Sequence, residues 1–121
     1  MVGIDIIDIE RVDGSDEFLN KIANEKEIEY VKKSFCDSLR LQRTGALFCV
    51  KEAVMKALDL GKGSGVVFKD IELTHQPSGK PSVILHGKAL ERLNQAYSGK
   101  RIEVSLSHTP ITAIAIAIVA D

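Results

Sequence analysis

The chain has 121 residues, a length that fits a single domain. Apolar residues make up 45% of the chain and charged residues 27%, which is the composition of a globular protein and excludes a disordered chain. A net charge of −1 and an aromatic content of only 5% argue against a nucleic-acid-binding surface, because such a surface needs positive charge and rings that stack on bases.

Apolar periodicity and turn residues divide the chain into short elements. Segments rich in Ile and Val predict strands, and apolar residues three and four positions apart predict helices. Asn24, with Glu27 three residues later, has the spacing of a capping box and predicts a helix start. In chain order we predict a strand at 2–9, helices at 16–22, 25–34 and 37–60, strands at 66–74 and 81–86, a helix at 87–97, and strands at 101–107 and 111–120.

The order of these elements predicts the fold class. Strands and helices follow one another without an internal repeat or a linker, so residues 1–121 are expected to form one domain. The later half of the chain is mostly strands, with a hairpin turn at 77–80. We therefore predict an α+β fold, in which helices pack on one face of an antiparallel sheet. Gly45 leaves open a later start for the third helix.

The cysteines and the apolar runs indicate the cellular compartment of the protein. Cys36 and Cys49 both lie in segments predicted to be helical, which favours two buried thiols over a disulfide. The chain begins directly with a predicted strand, without the pattern of a secretory signal. Its longest apolar run, 113–120, is too short to span a bilayer. We expect a cytoplasmic protein that does not enter a membrane.

Two acids stand out against their apolar surroundings. Asp5 shares a strand face with two isoleucines, and Glu52 lies among apolar positions of the third helix. Lys56 follows Glu52 by one helical turn, so a surface ion pair between them is the simplest interpretation. The alternative is a magnesium site, since Mg²⁺ takes one or two carboxylates and fills its remaining positions with water and phosphate oxygens. A nearby ammonium group would then neutralise the phosphate.

Other polar residues exclude several kinds of site. Ser107 and His108 are adjacent on a predicted strand, so their side chains point to opposite faces and cannot form a nucleophile–base pair. His75 and His86 lack the spacing of zinc ligands. The glycine-rich run 61–65 lacks the Lys-Ser/Thr pair of a P-loop, although its glycines would allow a ligand to approach the backbone.

Three segments carry a family resemblance. Residues 3–12 are GIDIIDIERV, residues 48–57 are FCVKEAVMKA, and residues 104–109 are VSLSHT. Together and in this order they resemble the holo-acyl-carrier-protein synthase family, the short class of phosphopantetheinyl transferases. The resemblance extends over nearly the whole chain.

The resemblance implies an activity and a set of site residues. Members of the family transfer the 4'-phosphopantetheine group of coenzyme A to a serine of apo acyl carrier protein and release 3',5'-ADP, a step that supports fatty acid biosynthesis. Asp5 and Glu52 would hold Mg²⁺, and both would be catalytic together with Lys56. Arg11 and Lys21 would contact the carrier protein. The coenzyme would contact Lys56, Gly61, Gly63, Gly65, Lys80, Pro81 and His108.

The resemblance also implies a homotrimer with sites between subunits. The base that accepts the serine proton is left open between Glu52 and a water molecule. Two other functions stay open at this point. One is a coenzyme A- or nucleotide-binding module without catalysis, and the other is a magnesium-dependent phosphohydrolase that needs no carrier protein.

Overall fold

The computed structural model describes residues 1–61 and 63–121, so Lys62, in the predicted loop 61–65, lies outside the described residues. Within these ranges the chain forms the α+β arrangement expected from its sequence. The elements are β1 (Val2–Asp8), a 3-10 helix (Ile9–Arg11), α1 (Asp16–Ile22), α2 (Glu25–Lys32), α3 (Asp37–Ala57), a second 3-10 helix (Phe68–Asp70), β2 (Ile71–His75), β3 (Pro81–Leu85), α4 (Gly87–Ala96), β4 (Arg101–His108) and β5 (Thr112–Ala120).

The strands form two antiparallel sheets where one was expected. In the larger sheet β5 lies between β1 and β4, and in the smaller sheet β2 pairs with β3 as a hairpin. The register of the larger sheet places Asp5 opposite Ala115, and His108 opposite Ala113. The first and last strands of the chain thus lie side by side, which brings the N-terminal segment next to β5.

The predicted strand at 66–74 was too long at its start. The described strand begins at Ile71, because the residues before it close a 3-10 turn. The backbone N–H of Asp70 donates to the carbonyl of Val67 at 3.0 Å, and the Asp70 carboxylate accepts from the N–H of Val67 at 3.3 Å. An aspartate that bonds to nearby backbone in this way competes with strand pairing.

Helix α3 is the central element of the fold. It ends at Ala57 rather than at the predicted residue 60, and Gly45 lies inside it. Of the two predicted buried thiols, Cys49 is confirmed as buried, whereas the prediction for Cys36 was wrong. Cys36 is exposed because it occupies the residue before the helix, where the chain turns at the surface. Within the described ranges no helix is both long enough and apolar enough to cross a bilayer.

Small residues let α3 lie close to the larger sheet. Strand β5 alternates strictly between Ala113 and Ile118, where the alanines face the helix and the isoleucines face away. On β1, a Cβ atom added to Gly3 would overlap the carbonyl oxygen of Ala53 and lie 2.6 Å from the nitrogen of Ala57. On α3, a Cβ atom added to Gly45 would lie 2.9 Å from Ile9 Cδ1, the end of a flexible side chain that would have to shift. Glycine is therefore required at the point where β1 passes over the C-terminal half of α3.

A buried ammonium group links α3 to α1, α2 and the second 3-10 helix. Lys51 is completely buried, and its Nζ donates to Ile22 O at 2.6 Å, to Glu27 Oε1 at 2.9 Å and to Phe68 O at 3.1 Å. These three acceptors use all the N–H donors of the group. Burial lowers the pKa of Lys51, and the Glu27 carboxylate opposes that shift. The predicted capping box at Asn24 is confirmed, and its Glu27 is the same carboxylate.

Candidate active site

Strand β1 and helix α3 bring Asp5 and Lys56 together. Lys56 Nζ donates to Asp5 Oδ1 at 3.1 Å and to the carbonyl of Ile4 at 2.9 Å. The Asp5 side chain is 17% exposed, whereas that of Lys56 is 53% exposed. The simple interpretation of Lys56, an ion pair with Glu52 along the helix, was thus wrong. The helix places Lys56 beside β1, where Asp5 is the nearer acid.

Glu52 lies on the same helix face, one turn before Lys56. Its side chain is half-buried. Burial raises the pKa of Glu52, the Asp5 carboxylate raises it further, and the Lys56 ammonium opposes both. Two carboxylates and one ammonium group, from elements far apart in the chain, therefore act on one another in a partly desolvated place.

Cys49 forms the buried floor of this cluster. Its thiol donates to the carbonyl of Ala113 at 3.6 Å, and it lies one helical turn before Glu52. Burial, followed by the Asp5 and Glu52 carboxylates, raises the pKa of the Cys49 thiol to about 12. The thiol is therefore neutral at physiological pH, and it adds no negative charge beneath the two acids.

Asp5 and Glu52 are the two residues of the cluster that could hold a divalent cation. Among the described residues no group of three or more His, Cys, Asp or Glu side chains is placed to hold a metal. Mg²⁺ differs from zinc or calcium in that one or two carboxylates suffice when substrate phosphates and water complete its octahedron. A divalent cation would also relieve the repulsion between Asp5 and Glu52, which is part of the cause of the raised pKa of Glu52.

The residues expected to contact the coenzyme do not lie in one cavity of a single chain. Lys80 and Pro81 line a cavity with Arg101 and Glu103. His108 lines a different cavity, between α2, α3 and β2. The glycines expected at the coenzyme, Gly61, Gly63 and Gly65, are exposed after the end of α3.

His108 is held by a neighbour from the start of α3. Its Nδ1 lies 2.8 Å from Gln42 Oε1, and the amide nitrogen of Gln42 donates to the hydroxyl of Ser38 at 3.1 Å. Because the amide oxygen faces the imidazole, Nδ1 carries the proton and donates, which leaves Nε2 for another partner. Burial lowers the pKa of His108, and the charge of Arg43 lowers it further.

Arg11 and Lys21, expected at the carrier protein, are both exposed. Arg11 ends the first 3-10 helix and Lys21 lies in the last turn of α1. Asp16, at the start of α1, is partly neutralised, since Arg40 contacts it at 3.1 Å and Lys32 at 3.8 Å. Because Asp16 is paired in this way, the acids of α1 reduce the positive charge around Arg11 and Lys21 less than a simple count of them predicts.

A match to a known family now decides what kind of protein carries this cluster. Residues 1–118 match the model of the 4'-phosphopantetheinyl transferase superfamily. The chain belongs to this superfamily. Its three motif segments, with Asp5, with Glu52 and Lys56, and with His108, all lie inside the matched range.

Similar members of the superfamily share one name. The chain is 36% identical over 124 residues to the holo-[acyl-carrier-protein] synthase of Koribacter versatilis, in an alignment that covers 98% of this chain and 96% of the relative. It is 40% identical over 121 residues to the enzyme of that name from Clostridium kluyveri, covering 97% of this chain and 87% of the relative.

Solved structures of the superfamily have the same fold. The holo-[acyl-carrier-protein] synthase of Helicobacter pylori, in complex with coenzyme A, superimposes with a TM-score of 0.80 at 28% identity, covering 99% of this chain and 100% of the other. The Bacillus anthracis enzyme, in complex with CoA (3',5'-ADP), gives 0.81 at 29% identity, covering 99% and 95%. The expected family and fold are confirmed.

Sequence reasoning assigned no role to three residues that shape this cluster. Gly3 permits the contact between β1 and α3, Cys49 underlies the acids, and Lys51 anchors the helix that carries Glu52. Gly3 precedes Asp5 by two positions, so the two share a strand face, and a glycine on the buried face of a short strand is itself a signal of close backbone approach. The partners of Lys51 are distant in sequence and leave no local signal.

Proposed function

We propose that this chain is a holo-[acyl-carrier-protein] synthase. It transfers the 4'-phosphopantetheine group of coenzyme A to a serine of apo acyl carrier protein and releases 3',5'-ADP. The observation that carries the proposal is the meeting of Asp5, Glu52 and Lys56 at the contact of β1 with α3. The shared name of the relatives and the coenzyme complexes of two similar structures support it.

The transfer is a single substitution at phosphorus. The serine oxygen of the carrier forms a bond to the phosphorus next to the pantetheine, and the bond from that phosphorus to the bridging oxygen breaks. The electron pair of that bond leaves on 3',5'-ADP, and the serine proton passes to a base. Reactions of this kind depend chiefly on positioning and charge neutralisation. Glu52 and a water molecule are the two candidates for that base.

Lys56 is placed to stabilise the diphosphate. Its ammonium group has three N–H donors, and two are used by Asp5 and by the carbonyl of Ile4. The third is available to a phosphate oxygen, and the side chain is exposed enough to meet a ligand. The same two contacts hold the ammonium in place before the ligand arrives, which reduces the cost of ordering it.

Asp5 and Glu52 are the residues that would hold Mg²⁺. When bound, this ion would neutralise charge on the diphosphate and favour departure of the leaving group. The two carboxylates are set on a strand and on a helix rather than on loops, and the glycine contact at Gly3 fixes the distance between those elements.

An apolar sheet face supports assembly into a homotrimer. The larger sheet exposes six apolar side chains on the face away from α3, with exposed fractions between 36% and 64%. These are Val2, Ile4, Ile6, Ile114, Ile116 and Ile118, here called the isoleucine face. An apolar patch of this kind on a small domain marks an interaction surface. We infer that copies of this chain cover it.

Assembly would also complete the site. Lys56 and His108 are both expected at the coenzyme, yet they lie near opposite ends of α3, beside residues 4–5 and Gln42 respectively. In an assembly of copies, one copy would supply Lys56 and another copy His108 to the same coenzyme. Each coenzyme would then lie between two subunits.

The partner of the enzyme is an acidic carrier protein. Arg11 and Lys21 lie exposed on consecutive elements, and they supply the positive charge that such a partner needs. A role in fatty acid biosynthesis and a cytoplasmic location follow from this proposed reaction.

Release of 3',5'-ADP tests the proposal against its alternatives. The chain is incubated with coenzyme A and Mg²⁺, with and without apo carrier protein, and the nucleotide products are separated by chromatography. We expect 3',5'-ADP only when the carrier is present and in equal amount to the modified carrier. Product without a carrier would support a phosphohydrolase instead, and coenzyme binding without product would support a binding module.

A further inference from the structure

The turn that follows α3 contains an aspartate in an unusual backbone conformation. Asp59 has a φ of 56°, and among the described residues it is the only one other than glycine with a positive φ. The left-handed region is costly for a residue with a side chain, and glycine is the usual occupant of this position at a helix end. We therefore expect a neighbouring contact to hold Asp59 in this conformation.

The hydrogen bonds of this turn are those of a Schellman motif. The N–H of Leu60 donates to the carbonyl of Met55 at 2.8 Å, and the N–H of Asp59 donates to the carbonyl of Lys56 at 3.2 Å. This pair of bonds puts Asp59 directly after the helix cap Leu58, where the motif requires the left-handed conformation. The backbone of Lys56, whose side chain belongs to the charge cluster, is thus part of the turn.

Arg92 of α4 contacts both sides of the turn. Its Nε donates to the carbonyl of Leu58 at 2.9 Å, and its Nη2 lies 3.9 Å from Asp59 Oδ2. The last carbonyls of a helix have no partner within the helix, and the end of the helix carries a partial negative charge. Arg92 supplies both a donor and a positive charge there. The Asp59 side chain is 82% exposed, so the contact with the Leu58 carbonyl is the stronger of the two.

Helix α4 also contacts the far end of the glycine loop 61–65, which is expected at the coenzyme. A Cβ atom added to Gly65 would lie 2.5 Å from Lys88 Nζ, so the Lys88 side chain passes directly beside this glycine. Lys88 precedes Arg92 by one helical turn, which places the two side chains on the same face of α4. One face of α4 therefore contacts the chain just before the loop and again at its last residue.

We propose that Arg92 is a positioning residue for the coenzyme loop, and that it acts through the left-handed turn at Asp59 without touching the coenzyme. This inference rests on the proposed function, since it assigns Arg92 to the binding step of that reaction. A turn that is ordered before the ligand arrives reduces the ordering cost of binding. Loss of Arg92 should weaken coenzyme binding and leave the chemical step unchanged, because the Lys56 ammonium is held separately by its contacts with β1.

Hydrogen exchange in the free chain tests whether Arg92 holds the turn. Exchange of the Leu60 amide, which bonds to Met55, is followed by NMR in the original chain and in Arg92→Gln. The amide of Val50, in the buried middle of α3, reports unfolding of the whole chain. In Arg92→Gln we expect the Leu60 rate to increase about fivefold more than the Val50 rate. Equal changes at the two amides would show that Arg92 does not hold the turn, and would overturn the proposal.

Calorimetric titration with coenzyme A, without a carrier, tests the link to binding. Arg92→Gln should raise Kd about fivefold. Arg92→Lys should raise it less, because lysine can still donate to the Leu58 carbonyl but lacks the fork that also reaches Asp59. Lys33→Gln is the matched control, since it removes one positive charge from an exposed pair with Glu29, and it should bind as tightly as the original chain.

A second substitution, Asp59→Gly, separates positioning from direct contact. Glycine takes the left-handed conformation without strain, so in the Asp59→Gly background Arg92→Gln should raise Kd by less than about twofold. An equal effect of Arg92→Gln in both backgrounds would mean that Arg92 contacts the coenzyme itself. No effect in either background would mean that Arg92 plays no part in binding. Either result would overturn the proposal.

Carrier modification distinguishes this inference from the proposed function. Arg92→Gln should raise KM for coenzyme A about fivefold and leave kcat unchanged, whereas a lower kcat at an unchanged KM would contradict a positioning role in binding. An original chain that binds coenzyme A but modifies no carrier would refute the proposed function alone, because the exchange and calorimetric results would still decide the role of Arg92. An original chain that binds no coenzyme A would refute both.

Discussion

Lys56 Nζ lies 3.1 Å from Asp5 Oδ1, although 51 positions separate the two residues in sequence. The contact exists because β1 runs directly over the C-terminal half of α3, with Gly3 against the helix backbone. The same approach sets Asp5 beside Glu52, so the charge cluster is a consequence of how closely one strand and one helix pack.

Replacing Gly3 should therefore damage both stability and activity. In Gly3→Ala the new methyl group would overlap Ala53 O and force β1 away from α3. We expect a loss of about 1–3 kcal/mol in the free energy of unfolding, measured by urea denaturation with circular dichroism. Gly61→Ala is the control, since its added Cβ meets nothing within 4 Å. Equal stability of Gly3→Ala and the original chain would contradict the close packing.

The charge of Glu52 should cost stability when no divalent cation is present. The pKa of Glu52 is raised in the folded chain, so its protonated form stabilises the fold. This stabilisation is complete below the ordinary pKa of a glutamate and is lost as the pH rises through the raised value. Glu52→Gln should thus be more stable than the original chain at about pH 7 and should lose that advantage at about pH 4, below the ordinary pKa. The measurement is urea unfolding in EDTA at both pH values.

Added Mg²⁺ gives the matching control for that experiment. It should raise the melting temperature of the original chain, since it binds the folded cluster, and should do little for Glu52→Gln. A Glu52→Gln variant that is less stable at both pH values would show that the carboxylate is favourably paired in the metal-free chain.

The buried ion pair of Lys51 should matter more to stability than any surface pair. Lys51→Met leaves Glu27 charged and without its main partner, and we expect a loss of about 3–5 kcal/mol. The double variant Lys51→Met/Glu27→Gln should recover part of that loss. Lys33→Met, which removes a surface contact to Glu29, is the control and should cost less than about 1 kcal/mol. Similar losses for the Lys51 and Lys33 variants would show that the buried contact adds little.

The isoleucine face should control assembly. Ile116→Glu puts a charge at the middle of β5 on that face, so we expect monomers in sedimentation velocity where the original chain forms trimers. Transfer activity should fall with assembly. Ile84→Glu, on the exposed face of the smaller sheet, should stay trimeric. A monomeric original chain with full activity would contradict the intersubunit site.

Much of the fold and of the site could be predicted from local signals. The helix start at Asn24 follows from its capping box, and the helix at 16–22 follows from its apolar spacing. The suspicion about Asp5 follows from an acid on an apolar strand face. The face that β5 buries could not be predicted in this way. The three alanines at 113, 115 and 117 face α3 because the helix lies too close for isoleucine, and that closeness depends on Gly3, more than a hundred residues earlier in the chain.

The partners of charged residues were harder still to predict. Lys56 has Glu52 one turn away, and local spacing favours that pair. The structure pairs it with Asp5 because β1 lies beside the helix. Lys51 has no acidic residue three or four positions away on α3, and its partner Glu27 comes from another helix. Such contacts depend on how the elements pack against one another, and the residue pattern of a single element carries no information about that packing.

The most direct test of the account is the intact mass of apo acyl carrier protein after incubation with this chain, coenzyme A and Mg²⁺. We predict that the carrier gains the mass of one phosphopantetheine group, and that EDTA, Asp5→Asn or Glu52→Gln reduces the rate by about 10²-fold or more while the fold is kept. Glu29→Gln, which removes an exposed acid of α2, should leave the rate unchanged. A carrier that stays unmodified with the original chain, or full modification by Asp5→Asn and Glu52→Gln, would contradict the account.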